Sequence, residues 1–260
     1  MSTPAPVRSG FRMAGPDVPV AIYAHPPLVE SWLGVEFSEP TGLSVADSGK
    51  LRTALGPEWP GAWKPVSQGI APQGLQLTNV MGDRALRLTA RGFKFGWLGY
   101  SGERYPQYES VRDGFVTVLD AVRKLPGETG AGIVPQTWSV CYVNRVPRGT
   151  VWCTPGEWTF FNLWQSGPLA GLGVDPIGSR ARWDFPLDAE RGNLTIEFQH
   201  SLGKSDDAEA VWLSLSASGA VEQAETSLFD GLDFGREVIV RGFNELVSTD
   251  AKTYWGVRTR

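Results

Sequence analysis

The stretch ALRLTARGFKFGWLGYSGERYPQYESVRDGFVTVLDAVRKL, residues 85–125, decides the fold. Its first part alternates. Ala85–Thr89 reads as a strand, and Phe93, Phe95 and Trp97 take every second position after Gly92, where a lone glycine predicts a bulge or a bend between two strands. The second part changes period: Val111, Phe115, Val118, Leu119 and Val122 fall on one helical face, with Arg112, Asp113, Asp120 and Arg123 off it. Pro126-Gly127 ends the helix.

The plan recurs downstream. Leu194–Leu202 and Ala210–Ala217 alternate as strands, and Leu228–Val247 places Leu228, Leu232, Ile239, Phe243 and Leu246 near one side of a helix. Gly231, Gly235 and Gly242 weaken that helix, so packing must hold it. The expected fold is α+β: two similar halves, each an antiparallel sheet with a long amphipathic helix packed on one face. Residues 1–24, broken by Pro4, Pro6, Pro16 and Pro19, read as a flexible leader. The halves are 25–127 and 133–260, with a hinge at Glu128–Gly132.

Between these landmarks, Leu28–Phe37 is the first strand, with Val29, Ser31, Leu33, Val35 and Phe37 on one face and Trp32 on the other. Ser44 caps a short helix that uses Leu51 and Leu55 and stops at Gly56-Pro57. Trp59, Pro60, Trp63 and Pro65 read as a loop, Leu75–Val80 as a strand, and Gly82-Asp83 as a turn. Trp138–Val146 is a strand. Trp152–Asp188 reads as a long connection with a strand near Arg182–Phe185, and as a candidate binding edge.

Composition narrows the function classes. The chain has 260 residues, 42% hydrophobic and 20% charged, with a net charge of −4. That balance lacks the global basic field with which proteins grip DNA phosphates. No run reaches the length of apolar residues that a membrane helix needs. Cys141 and Cys153 follow no secretory signal, so they read as reduced, buried thiols of a cytoplasmic protein. Eleven tryptophans read as a thick aromatic core rather than as stacking platforms.

The chemistry-bearing residues are few. His25 and His200 are the only histidines, and neither has a partner at metal-ligand spacing. Walker, Rossmann and nucleophile-elbow patterns are all missing, so no cofactor is expected. Asp206-Asp207 with Glu209 reads as a solvated tip. Asn144, Arg145 and Arg148 form a strand-end cluster able to hold a phosphate or carboxylate, and Arg236 sits early in the last helix as a contact residue.

Several short stretches recur in order: Pro26-Pro27-Leu28-Val29-Glu30, Tyr105-Pro106-Gln107-Tyr108-Glu109 before Phe115, Tyr142-Val143-Asn144, Phe243-Asn244-Glu245-Leu246, and Trp255-Gly256. In these the chain resembles a sporadically distributed, uncharacterised prokaryotic family of about this length. The resemblance implies a mobile or defence-associated setting and no defined activity. It also implies a histidine where this chain has Arg236 and another near Lys252, so histidine chemistry shared by that family would be missing here.

The residues and the resemblance together point to a non-catalytic cytoplasmic binding or assembly protein. It would act with a protein partner, as a monomer or homo-oligomer, without metal or membrane. The alternative is a nucleic-acid or nucleotide-binding module in which Trp32, Trp97, Phe95, Arg145 and Arg148 meet unstacked bases. A hydrolase built on Glu30, Glu109 and Glu197 ranks third.

Overall fold

Alternation builds the molecule from the middle outward. In the computed structural model, residues 21–40, 45–68, 71–100, 104–125, 133–163, 178–187, 191–201, 209–222 and 224–259 are described. The expected hinge at Glu128–Gly132, the tip Asp206-Asp207 and residues 1–20 of the expected leader lie outside them.

In chain order the elements are β1 (Ala21–Tyr23), β2 (Leu28–Phe37), α1 (Val45–Leu55), β3 (Lys64–Gln68), β4 (Ala71–Thr78), β5 (Arg84–Thr89), β6 (Gly92–Leu98) and α2 (Tyr108–Arg123). Then come β7 (Pro135–Pro147), β8 (Gly178–Pro186), β9 (Asn193–Ser201), β10 (Ala210–Ala220), α3 (Ala224–Leu246), α4 (Thr249–Tyr254) and β11 (Val257–Thr259).

Nine strands form one antiparallel sheet in the order β3-β4-β5-β6-β2-β7-β10-β9-β8. Its centre is the β2–β7 pair, where Leu33 faces Val140 and Val35 faces Trp138. The N-terminal and C-terminal strands therefore share one sheet. From that centre each flank is filled inward from its edge, β3 to β6 in order on one side and β8 then β9 then β10 on the other.

Two long helices lie on the same face. α2 packs on β6 and β2, and α3 on β7 and β10. Val111, Phe115, Val118, Leu119 and Val122 are all buried, as their period requires. Their neighbours Leu33, Phe93, Val140, Leu215 and Leu232 belong to one continuous core. α3 approaches β7 closely because Gly231 and Gly235 leave room for the Trp138 indole. A Cβ at either would meet that ring at 2.3 and 2.6 Å. The glycines that weaken the helix are the seat of its main anchor.

Some expectations change. Ala21–Tyr23, assigned to the leader, is a strand paired with β11 in a separate two-stranded sheet. The segment assigned to a proline- and tryptophan-pinned loop contains β3, an edge strand, where proline is tolerated because one side needs no ladder donor. Of the two alternatives at Gly92, the structure has the bend between two strands, with Gly92 opening β6. Cys153 is exposed rather than buried, and both thiols are free. Among the described residues no helix is long and apolar enough to cross a membrane.

Candidate functional site

Beyond Trp138, Tyr142 and Asn144 of β7 and Arg236, Ile239, Val240 and Phe243 of α3 line a common space. Between α3, β1 and the turn preceding α2 lies a cavity of about 530 Å³. Its walls include Leu28, Trp97, Tyr105, Gln107, Tyr142, Asn144, Arg236, Ile239, Val240 and Phe243, together with residues 21–26.

Each wall is held for a local reason. β1 is pinned by its pairing to β11, by the Tyr23 hydroxyl donating to Asn244 Oδ1 at 3.0 Å, and by edge contacts of Tyr23 with Phe243 and Trp255. Tyr105 and Tyr142 share a hydroxyl contact of 3.0 Å, and their rings meet edge-on. Asn144, buried on the helix-facing side of β7, donates from Nδ2 to the Leu213 carbonyl at 3.2 Å. Gln107 has φ 78° and ψ 155°, a region that side chains avoid, and is the only described non-glycine residue with positive φ. That strain sits in the cavity wall, at the start of a helix whose N-cap makes no side-chain hydrogen bond.

The electrostatics are one-sided. Arg236 lines the cavity, as do the exposed Arg104 and His25, and no Asp or Glu is among the described lining residues. The acids near Arg236 on α3 are engaged elsewhere. Asp233 accepts from Tyr108 at 2.6 Å and pairs with Arg112 at 3.2 Å, and Glu237 pairs with Arg241 at 2.8 Å. Arg236 stands 5.4 Å from the Tyr108 ring, and its buried Nε has no hydrogen-bond partner among the described residues. Trp97 is 2% exposed, and its indole N–H also lacks an acceptor there. Both atoms are closed off from solvent, so the part of Arg236 that the cavity can use is the outer end of its guanidinium.

The phenols remain donors. Burial pushes Tyr23 up to about 12. Burial raises Tyr105 as well, against the opposing hydrogen bonds of Ser31 and Tyr142, and holds Tyr142 well above the ordinary tyrosine value. The cavity thus offers hydroxyl, amide and guanidinium donors beside an apolar wall. It is suited to binding a compact anion with an apolar body.

Of the residues singled out from sequence, Asn144, Arg236 and Trp97 meet at this cavity. Arg145, Arg148 and Trp32 do not. Arg145 points from the opposite face of the sheet and lies 5.9 Å from the Trp212 ring. Arg148 donates to the Cys153 carbonyl at 2.7 Å and to Glu209 at 2.8 Å, so it braces a loop. Trp32 is 3% exposed beneath the Arg87 guanidinium, 3.9 Å from its ring, and Phe95 is buried too, so neither offers a face to a base. His200 is buried, bonded to Glu209 at 2.6 Å and flanked by Trp152 and Trp158. Glu30, Glu109 and Glu197 are not in the cavity wall.

Tyr105, Tyr142 and Phe243 were not proposed as binding residues, yet the recurring stretches contain them. Pro26 and Leu28, Tyr105 and Gln107, Tyr142 and Asn144, and Phe243 all line the one cavity, and Trp255 stacks behind Phe243 at 5.6 Å. Segments far apart in sequence converge there. No protein-family model matches the chain, and no curated protein matches it.

Proposed function

We propose that this is a non-catalytic binding protein whose ligand is a small organic anion held in the cavity between α3, β1 and the turn before α2. The observation that carries the reading is the half-buried Arg236 guanidinium, without an ion pair among the described residues, in a cavity whose described lining contains no acid. An anionic ligand would pair with that guanidinium beside an apolar wall, where a charge-assisted hydrogen bond is strong. Native mass spectrometry of the protein purified at low salt tests it. A retained organic anion, lost in Arg236→Gln, is the expected result; a bare chain whose melting temperature no organic acid or phosphate ester raises would sink the reading.

The wider proposal is that ligand occupancy acts on a protein partner in a cytoplasmic setting, which the two free thiols support. Convergence of the recurring stretches on the cavity favours the resemblance to the sporadic prokaryotic family, and with it a mobile or defence-associated role. The mirrored filling of the two sheet flanks favours an origin by internal duplication.

A second reading is a single-stranded nucleic-acid interface on the sheet face opposite the helices. The pairing of Arg145 with Trp212, half-buried on that face, favours it. Retention on an oligonucleotide column that weakens steeply with salt is its expected signature. Failure to bind at low salt removes it.

A further inference from the structure

We infer that the ligand is a monocarboxylic acid with an apolar body about 10 Å long, a class that rests on the small-anion reading above and sharpens it. The argument begins with spacing on α3. Arg236, Ile239, Val240 and Phe243 fall at i, i+3, i+4 and i+7, so one stripe of the helix runs from a cation into an apolar surface, and all four line the cavity. At a rise of about 1.5 Å per residue the stripe is about 10 Å long. Phe243 ends it, boxed by Tyr23 at 5.5 Å and Trp255 at 5.6 Å. Leu28 adds to the apolar lining.

The head of the stripe selects a single negative charge. A guanidinium fork matches a carboxylate with two parallel hydrogen bonds. A phosphate monoester carries up to two charges near neutral pH and calls for more cationic or backbone donors. The described lining contains no lysine, and its other basic residues, Arg104 and His25, are exposed, where water and salt weaken any charge. Tyr105 and Tyr142, with phenols held protonated, fit the same acceptor-only partner.

Titration calorimetry on the full chain tests the class with octanoate, octyl phosphate, octanol and acetate. Octanoate should bind at least tenfold more tightly than each of the other three. Arg236→Gln should weaken octanoate at least tenfold with an unchanged circular dichroism spectrum, and Arg236→Lys, which keeps the charge but loses the fork, should fall between. Val240→Glu places a charge midway along the apolar stripe and should abolish octanoate binding while Arg236 is intact. Octyl phosphate binding more tightly than octanoate overturns the carboxylate class and leaves the small-anion reading standing. Acetate matching octanoate overturns the apolar body alone. If no probe binds, or if Arg236→Gln binds every probe as the unaltered chain does, both readings fall.

Discussion

One helix meets one strand in two different ways. Near the start of α3, Trp138 of β7 sits against Gly231 and Gly235 with no room for a methyl group. Further along, Tyr142 and Asn144 of the same strand face Arg236, Ile239 and Phe243 across a cavity of about 530 Å³. The first contact is dry, aromatic and close because the helix gives up two side chains. The second is open because long and polar side chains hold the surfaces apart. The tight contact and the cavity thus lie on successive turns of a single helix, and each can be perturbed separately.

Trp138→Ala should break the tight end most severely. It empties a fully packed site and should cost about 3–5 kcal/mol in urea unfolding. A smaller loss would mean that α3 settles onto the sheet without its anchor. Gly231→Ala comes next. Overpacking against Trp138 costs about 1–3 kcal/mol and improved helix propensity returns about 1 kcal/mol, leaving a net loss. In a Trp138→Ala background the same change should become stabilising, a reversal that a double-mutant cycle reads directly.

Alkaline titration sharpens the cavity end without mutation. Tyrosines raised by burial keep their protons in the folded chain, so their contribution to stability is complete below the ordinary value of about 10 and is lost as pH rises through the raised values. Absorbance at 295 nm should show Tyr23 ionising near 12, or only as the fold opens, and a full set of phenolates by pH 11 would contradict its burial. Gly242→Ala supplies the control for the glycines. A Cβ there meets Leu194 and Leu215 at an ordinary 3.5 and 3.7 Å, so the change should stabilise by about 0.5–1 kcal/mol. Arg236→Met should shift unfolding least, within about 0.5 kcal/mol, since its charge makes no ion pair among the described residues and meets only the Tyr108 ring, at 5.4 Å. A loss of several kcal/mol would reveal a structural role for the arginine and would count against a site kept for a ligand.

Strong periodicity made some elements legible. Leu28–Phe37 matches β2 residue for residue, and the stripe from Val111 to Val122 lies inside α2. β1, β3 and β11 escaped because three residues, or five with a proline among them, hold too little pattern to distinguish strand from loop. That the two halves share or abut their sheets was expected, but the pairing that joins them was not legible: β2 and β7 are separated by two helices and four strands, and local alternation is silent about such partners. Arg236, Asn144 and Trp97 were visible as residues of interest, but their meeting was not, because it depends on how far α3 stands from β7. The clue lay in the order of short stretches such as Tyr105-Pro106-Gln107-Tyr108, whose strained Gln107 backbone has no signature in composition.

The pairing of β1 with β11 has a kinetic meaning. Ala21 lies opposite Thr259, so this wall of the cavity closes almost the longest loop available to the described chain. Loop-closure entropy grows only slowly with length, so the contact is thermodynamically tolerable, yet non-local contacts of this kind form late. A ribosome releasing the chain from its N-terminal end would complete the sheet before it completed the cavity. Closure of that wall therefore waits on β11: a chain cut short before Trp255 holds all nine strands of the main sheet but lacks the strand that pairs with β1.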